Sequence, residues 1–139
     1  MVKKVKRKST LANKCDKKWS YLVKLARWNK CAYCGKKTYL NSHHLFTRTN
    51  YATRFDLDNG ICLCSWHHTL NQNFSAHGTP LEFADRIKEL KWEERYDNLK
   101  RKSKWVRDGD YDKVIKYLNE QAEILTKNSQ DFYIDKQKE

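Results

Sequence analysis

The sequence predicts a small α+β domain with two short strands and a following helix at its centre and longer helices packed around them. Three observations carry this. The chain has 139 residues, enough for one compact domain and too few for two joined by a linker. Apolar residues recur at intervals of three and four over Leu11–Trp28, Thr79–Leu90 and Tyr111–Leu125, the period of a helix with one buried face. Between the first two stretches lie Thr38–Phe46, with β-branched and aromatic residues, and the apolar run Gly60–Cys64, each of strand length.

Lys3, Lys4, Lys6, Arg7 and Lys8 crowd the first ten residues and no acid precedes Asp16, so residues 1–10 read as a flexible basic arm. Leu11, Cys15, Trp19, Leu22, Val23 and Ala26 define the buried face of the first helix. Cys31-Ala-Tyr-Cys34-Gly35 is a tight turn leading to the first strand. Thr47 to Asp58 is polar and aperiodic, a loop of the length that carries function. Ser65 is placed to cap a helix running to about Phe74. Thr79-Pro80-Leu81-Glu82 offers a cap residue, proline at the first helical position and Glu three residues after the cap. The helix it starts should turn Leu81, Ala84, Ile87 and Leu90 inward, and Trp92 to Leu99 continues it. Lys100, Arg101, Lys102, Lys104 and Arg107 form a second basic run before the Asp108-Gly109-Asp110 turn. The last helix faces Ile115, Leu118, Ala122 and Leu125 inward, which makes residues 11–125 the domain and 126–139 a fraying tail.

Lys plus Arg number 29 against 17 Asp plus Glu, a net charge of +12. A polyanion, nucleic acid first, is the partner such an excess implies. Mean hydropathy is −0.99 and no apolar run approaches the roughly 18 residues of a membrane span. Nor does the stretch from Met1 to Lys8 contain the apolar segment of a secretory signal. A reducing cytoplasm is the expected compartment, where an odd set of five cysteines points to metal ligands and core thiols rather than disulfides. The Asn73-Phe74-Ser75 sequon is then a chance match.

Four of the five cysteines and four of the five histidines lie between Cys31 and His68. Cys31 and Cys34 are separated by two residues, as are Cys64 and His67, and each pair can place two ligands on one tetrahedral ion. A structural zinc held by Cys31, Cys34, Cys64 and His67 follows. Cys62 competes with Cys64, but Cys64 has the right spacing from His67; Cys62 and Cys15 are read as core thiols. His43, His44 and His68 remain unexplained by a satisfied zinc. Adjacent strand residues face opposite ways, so His43 and His44 diverge unless the strand ends there. His77 is read as an ordinary loop histidine. Arg54 can position a phosphate or pair with Asp56 or Asp58.

Ser42-His43-His44-Leu45, Leu57-Asp58-Asn59-Gly60 and Leu63-Cys64-Ser65-Trp66-His67-His68, in this order, resemble the HNH, or ββα-metal, nuclease motif in a zinc-stabilised, treble-clef-like frame. Cys15-Asp16-Lys17-Lys18-Trp19-Ser20, Cys31-x-x-Cys34-Gly35, His44-Leu45-Phe46-Thr47-Arg48, Thr53-Arg54-Phe55-Asp56 and Pro80-Leu81-Glu82-Phe83 are similar to the phage NinG/Rap recombination endonucleases. The resemblance spans roughly Cys15 to Lys100. It implies His44 as general base, Asn59 as the residue that holds the loop and orients the base, and Arg48 on phosphate. It also places His43 and His68 on a catalytic divalent ion, Mg²⁺ or Mn²⁺, with Ni²⁺ or Zn²⁺ also suited to imidazole. NinG-like sequences carry serine where this chain has His43, so the two histidines can exchange roles. DNA contacts are expected from Lys3, Lys4, Lys6, Arg7, Lys8, Arg48, Arg54, Lys100, Arg101, Lys102, Lys104 and Arg107. The implied activity is metal-dependent hydrolysis of DNA phosphodiesters in branched recombination intermediates within the host cytoplasm, and a symmetric cut would suit a homodimer. A generic HNH nickase or double-strand endonuclease, and a non-catalytic zinc-stabilised DNA-binding module, are the alternatives.

Overall fold

The computed structural model describes residues 2–89, 93–104 and 110–137, with side chains described over 10–89, 94–104 and 110–127. The fold is α+β. Helix α1 (Val2–Ala26) precedes strands β1 (Leu40–His44) and β2 (Gly60–Cys64), a π-helical turn over Trp66–Leu70, and helices α2 (Pro80–Ile87), α3 (Glu93–Lys102) and α4 (Tyr111–Gln137). No described helix is long and apolar enough to cross a membrane.

Helix α1 starts at Val2, so the basic segment expected to be a flexible arm has a helical backbone continuous with the first predicted helix. Lys and Arg are good helix formers, and a charge run carries no signal that separates a solvated arm from a solvated helix. Of the predicted buried face, Cys15, Trp19, Leu22 and Val23 pack with Phe55 and with Leu118 of α4, whereas Leu11 and Ala26 are half-buried and Ala12 is buried instead. Trp28 and Asn29 end the helix in left-handed conformations, with φ of 58° and 50°, and the Asn29 N–H returns to the Lys24 carbonyl at 2.9 Å. Helix α4 lays Ile115, Ala122 and Leu125 beside that cluster as predicted. It continues to Gln137, through the segment expected to fray.

The strands pair antiparallel, with His43 opposite Ile61 and His44 opposite Gly60. All five residues of β2 are buried, because each face of the strand has its own cover. Ile61 and Leu63 join Phe83 and Ile87 of α2, with Phe74 and Leu45 alongside. Gly60 lies against α1, where an added Cβ would stand 2.3 Å from Val23 Cγ2 and 2.8 Å from Trp19 Cζ2. We predict that Gly60→Ala lowers stability by about 3 kcal/mol, the upper end of the usual cost of overpacking. Urea denaturation would test this, and a loss under about 0.5 kcal/mol, typical of a surface change, would show that α1 can move away.

Two predicted helices differ from what forms. After Ser65 the chain makes only the π-helical turn, and Ser65 caps nothing with its side chain; its hydroxyl instead donates to the Tyr39 carbonyl at 3.1 Å. Helix α2 starts at Pro80 as predicted, but it buries Phe83 and Ile87 and leaves Leu81 82% exposed. The Phe83 ring packs on Phe74 and on the His43 imidazole, and this tertiary contact sets the helix's rotation. Thr79 does not cap the N-terminus with its side chain; its hydroxyl accepts from the Ser75 N–H and donates to the Ser75 carbonyl. Leu90 and Trp92 lie outside the described residues.

Candidate functional site

Cys31 and Cys34 are supplied by the turn between α1 and β1, Cys64 by the end of β2 and His67 by the π-helical turn. The knuckle closes through Gly35, whose φ of 74° suits glycine and whose N–H bonds the Cys31 carbonyl at 2.9 Å. Cys31 Sγ is 3.7 Å from His67 Nδ1, Cys34 Sγ is 3.8 Å from Cys64 Sγ, and Cys64 Sγ is 3.3 Å from His67 Nδ1. Ligands on a tetrahedral zinc, with Zn–S about 2.3 Å and Zn–N about 2.0 Å, stand about 3.5–3.8 Å apart. These four side chains thus form a group that could hold a metal ion, with a donor set and spacing that fit structural zinc. Burial pushes the Cys31 thiol up, but backbone N–H groups of Cys64, Cys34 and Tyr33 outweigh that and leave it below the ordinary thiol value. Burial also lowers His67, favouring the neutral imidazole that binds metal. Cys62 is fully buried outside this group, and burial pushes its thiol up to about 11. It is a core thiol, as is buried Cys15.

A second group forms around His68, the residue after His67. His43, His68 and His77 place ring nitrogens within 4.8 Å of one another, and this group could also hold a metal ion. His68 Nε2 and His77 Nε2 are 3.1 Å apart. The segment carrying His77 is tied back to the π-helical turn by two backbone bonds, Ala76 N–H to the His67 carbonyl at 2.9 Å and His77 N–H to the His68 carbonyl at 3.0 Å. His77 is therefore the ligand candidate the sequence reading missed. It has no motif spacing to His68; the folding of the intervening loop and those two backbone bonds bring it round. Burial, then the neighbouring His68, His77 and His44, push His43 down to about 3. Burial and His77 also lower His68. Both rings are accordingly neutral near pH 7, the form in which an imidazole has a nitrogen lone pair to offer a cation.

His44 takes the opposite face of β1. Its ring stacks on Trp19, with centroids 3.8 Å apart and planes 9° from parallel, and its Nε2 is 3.0 Å from the Arg54 carbonyl. A carbonyl oxygen only accepts, so Nε2 carries the proton and Nδ1 is the basic nitrogen. Burial lowers the His44 pKa, and the bond to Arg54 opposes that shift. Asn59, fully buried, fixes the exit of β1: its side-chain NH₂ donates to the Phe46 carbonyl at 3.0 Å and its Oδ1 accepts from the Phe46 N–H at 2.7 Å.

No family model, curated protein or solved structure matches this chain. The remaining site residues divide by exposure. Arg54 pairs with neither Asp56 nor Asp58; it makes a two-point ion pair with Asp16, its side chain is only 12% exposed, and it is not available to a phosphate. Arg48 shares Asp16 through one bond of 2.8 Å and is 61% exposed. Lys100, Arg101 and Lys104 are exposed, whereas Lys102 is paired with Asp56. Arg107 lies outside the described residues, as do the side chains of Lys3, Lys4, Lys6, Arg7 and Lys8. Asn71 turns its Oδ1 onto the N–H groups of Asn73 and Phe74, which shapes the loop toward His77.

Proposed function

We propose that this chain is a divalent-metal-dependent endonuclease of the HNH type that hydrolyses DNA phosphodiesters, with branched recombination intermediates as its substrate class. The convergence of His43, His68 and His77 on one point, with His44 held in a single tautomer on the other face of the same strand, carries the reading. The resemblance to NinG/Rap endonucleases supplies the substrate class. A divalent ion in the three-imidazole group would polarise the scissile phosphate and stabilise the leaving 3′ oxygen. His44 Nδ1 takes a proton from the attacking water, while the Arg54 carbonyl keeps Nε2 protonated and the ring oriented. Asn59 holds the β1 exit so that His44 keeps its direction. Arg48 is the exposed cation beside the site and leaves Asp16 for a phosphate oxygen. Lys100, Arg101 and Lys104, with the basic start of α1, supply backbone contacts that give affinity without reading sequence.

An all-imidazole ligand set favours Mn²⁺, Ni²⁺ or Zn²⁺ over Mg²⁺. His77→Ala is expected to weaken Mn²⁺ or Ni²⁺ binding to zinc-loaded protein by more than about 100-fold, the upper end of the loss seen when only an outer-shell partner is removed. Isothermal titration would measure this, and unchanged affinity would remove His77 from the site. Cleavage of a labelled four-way junction and a matched linear duplex, with Mn²⁺, Mg²⁺ or EDTA, tests the whole reading. Metal-dependent cutting biased to the junction is expected. Equal cutting of both substrates would point to a generic HNH endonuclease, and binding without cutting under any condition to a zinc-stabilised DNA-binding module.

A further inference from the structure

Asp16, Trp19 and Ser20 all leave α1 toward the strand and loop that hold His44. Ser20 accepts the Ser42 hydroxyl on its carbonyl at 2.7 Å. Trp19 stacks on the His44 ring and donates its indole N–H to the Asp56 carbonyl at 2.9 Å. Asp16 accepts from Arg54 Nε at 3.1 Å and from Arg54 Nη2 at 2.7 Å. Arg54 is also the residue whose carbonyl meets His44 Nε2. One half-buried ion pair thus fixes a residue from its side chain, and the main chain of that residue fixes the imidazole.

We propose that Asp16 is a positioning residue for His44, acting through Arg54: the two-point ion pair holds the Arg54 carbonyl where it keeps the proton on Nε2 and leaves Nδ1 as the basic nitrogen. This rests on His44 being the base. The two arginines on Asp16 are not equivalent. Arg54 makes two bonds and its side chain is 12% exposed against 61% for Arg48. Arg48 can leave for a phosphate while Arg54 stays, so the hold on His44 survives substrate binding. A partly buried charge pair is a poor way to gain stability, since desolvation offsets much of the attraction; its geometric precision is the property that the base needs.

The test uses full-length, zinc-loaded, ¹⁵N-labelled protein. The His44 ring signals, assigned by their loss in His44→Gln, report the tautomer directly in long-range ¹H–¹⁵N correlation spectra. Wild type should show Nε2–H alone. Asp16→Asn keeps the shape but loses the charge and one acceptor, and Asp16→Ala loses both; each should give a mixture of tautomers. Each should also lower kcat on DNA by roughly 10- to 100-fold, the range for partners that orient a ligand or base from behind, with KM within about 2-fold by the same reasoning. Arg48→Ala should keep the wild-type ring signals while KM rises. An unchanged single tautomer in Asp16→Asn would overturn the proposal. Loss of the fold in both Asp16 variants, judged by zinc content and circular dichroism, would also overturn it, because the residue would then be structural. If wild type cuts no DNA yet the Asp16 variants still disturb the tautomer, the nuclease reading fails and the positioning role stands.

Discussion

Replacing Cys64 with alanine, or removing metal with a strong chelator, is expected to unfold the chain. Structural zinc contributes about 10–16 kcal/mol in zinc-finger peptides, against a total stability of about 5–15 kcal/mol for a typical domain. The cluster that this zinc would pin is small: Ile61, Leu63, Ala76, Phe83 and Ile87 with the two ligands Cys31 and Cys64 are its buried members. The four candidate ligands come from three separate segments, and besides the ion the knuckle is tied to β2 by the Ala32 N–H to Cys62 carbonyl bond of 2.9 Å. Circular dichroism and zinc content, measured together, would check this. One zinc per chain, with cooperative loss of structure on chelation, is expected. Cys62→Ala should keep its zinc, since Cys62 lies outside the ligand group. A chain that stays cooperatively folded after complete zinc removal would contradict the assignment.

His44→Ala should lower the cleavage rate by about 10²- to 10⁴-fold, the usual contribution of a positioned general base, with DNA affinity within about 2-fold of wild type because affinity comes mainly from phosphate-contacting cations. The adjacent substitution should behave differently. His43 shares its point of convergence with His68 and His77, so His43→Ala should lose metal binding, whereas His44→Ala should keep it. Single-turnover cleavage alongside Mn²⁺ titration of both variants would separate the roles of the two neighbours. Loss of metal binding in His44→Ala with retention in His43→Ala would show that the roles are exchanged.

The sequence is legible where function depends on short-range spacing. The two Cys and Cys/His pairs of the candidate zinc group, both strands and the divergence of His43 from His44 follow from spacings of two residues and from strand alternation. What escapes depends on distant partners. Asp16 meets Arg48 and Arg54 across 32 and 38 residues of chain, and no local pattern pairs an acid on a helix with bases in a loop. His77 reaches His68 through backbone bonds within an irregular loop, and this approach leaves no periodic signal in the sequence. In α2, capping chemistry located the start, but Phe83 rather than Leu81 points inward because of ring contacts that depend on the finished sheet. Helices α1 and α4 extend beyond their sequence signals for the opposite reason: polar helical turns without buried faces resemble solvated coil in sequence.

The pairing of β1 with β2 also determines how this chain tolerates length changes. Deleting or inserting one residue between Cys34 and Leu40 could be absorbed by sliding β1 one step along β2, and a one-step slide exchanges the faces of every side chain on the strand. Two consecutive histidines offer no insurance against this. A slide in one direction carries His44 into the place of His43 and puts Leu45 against Trp19; a slide in the other carries His43 against Trp19 and puts Ser42 among the imidazoles. Either way one of the two positions keeps an imidazole and the other loses it. The five residues from Gly35 to Tyr39 are therefore constrained in number, although all of them are exposed.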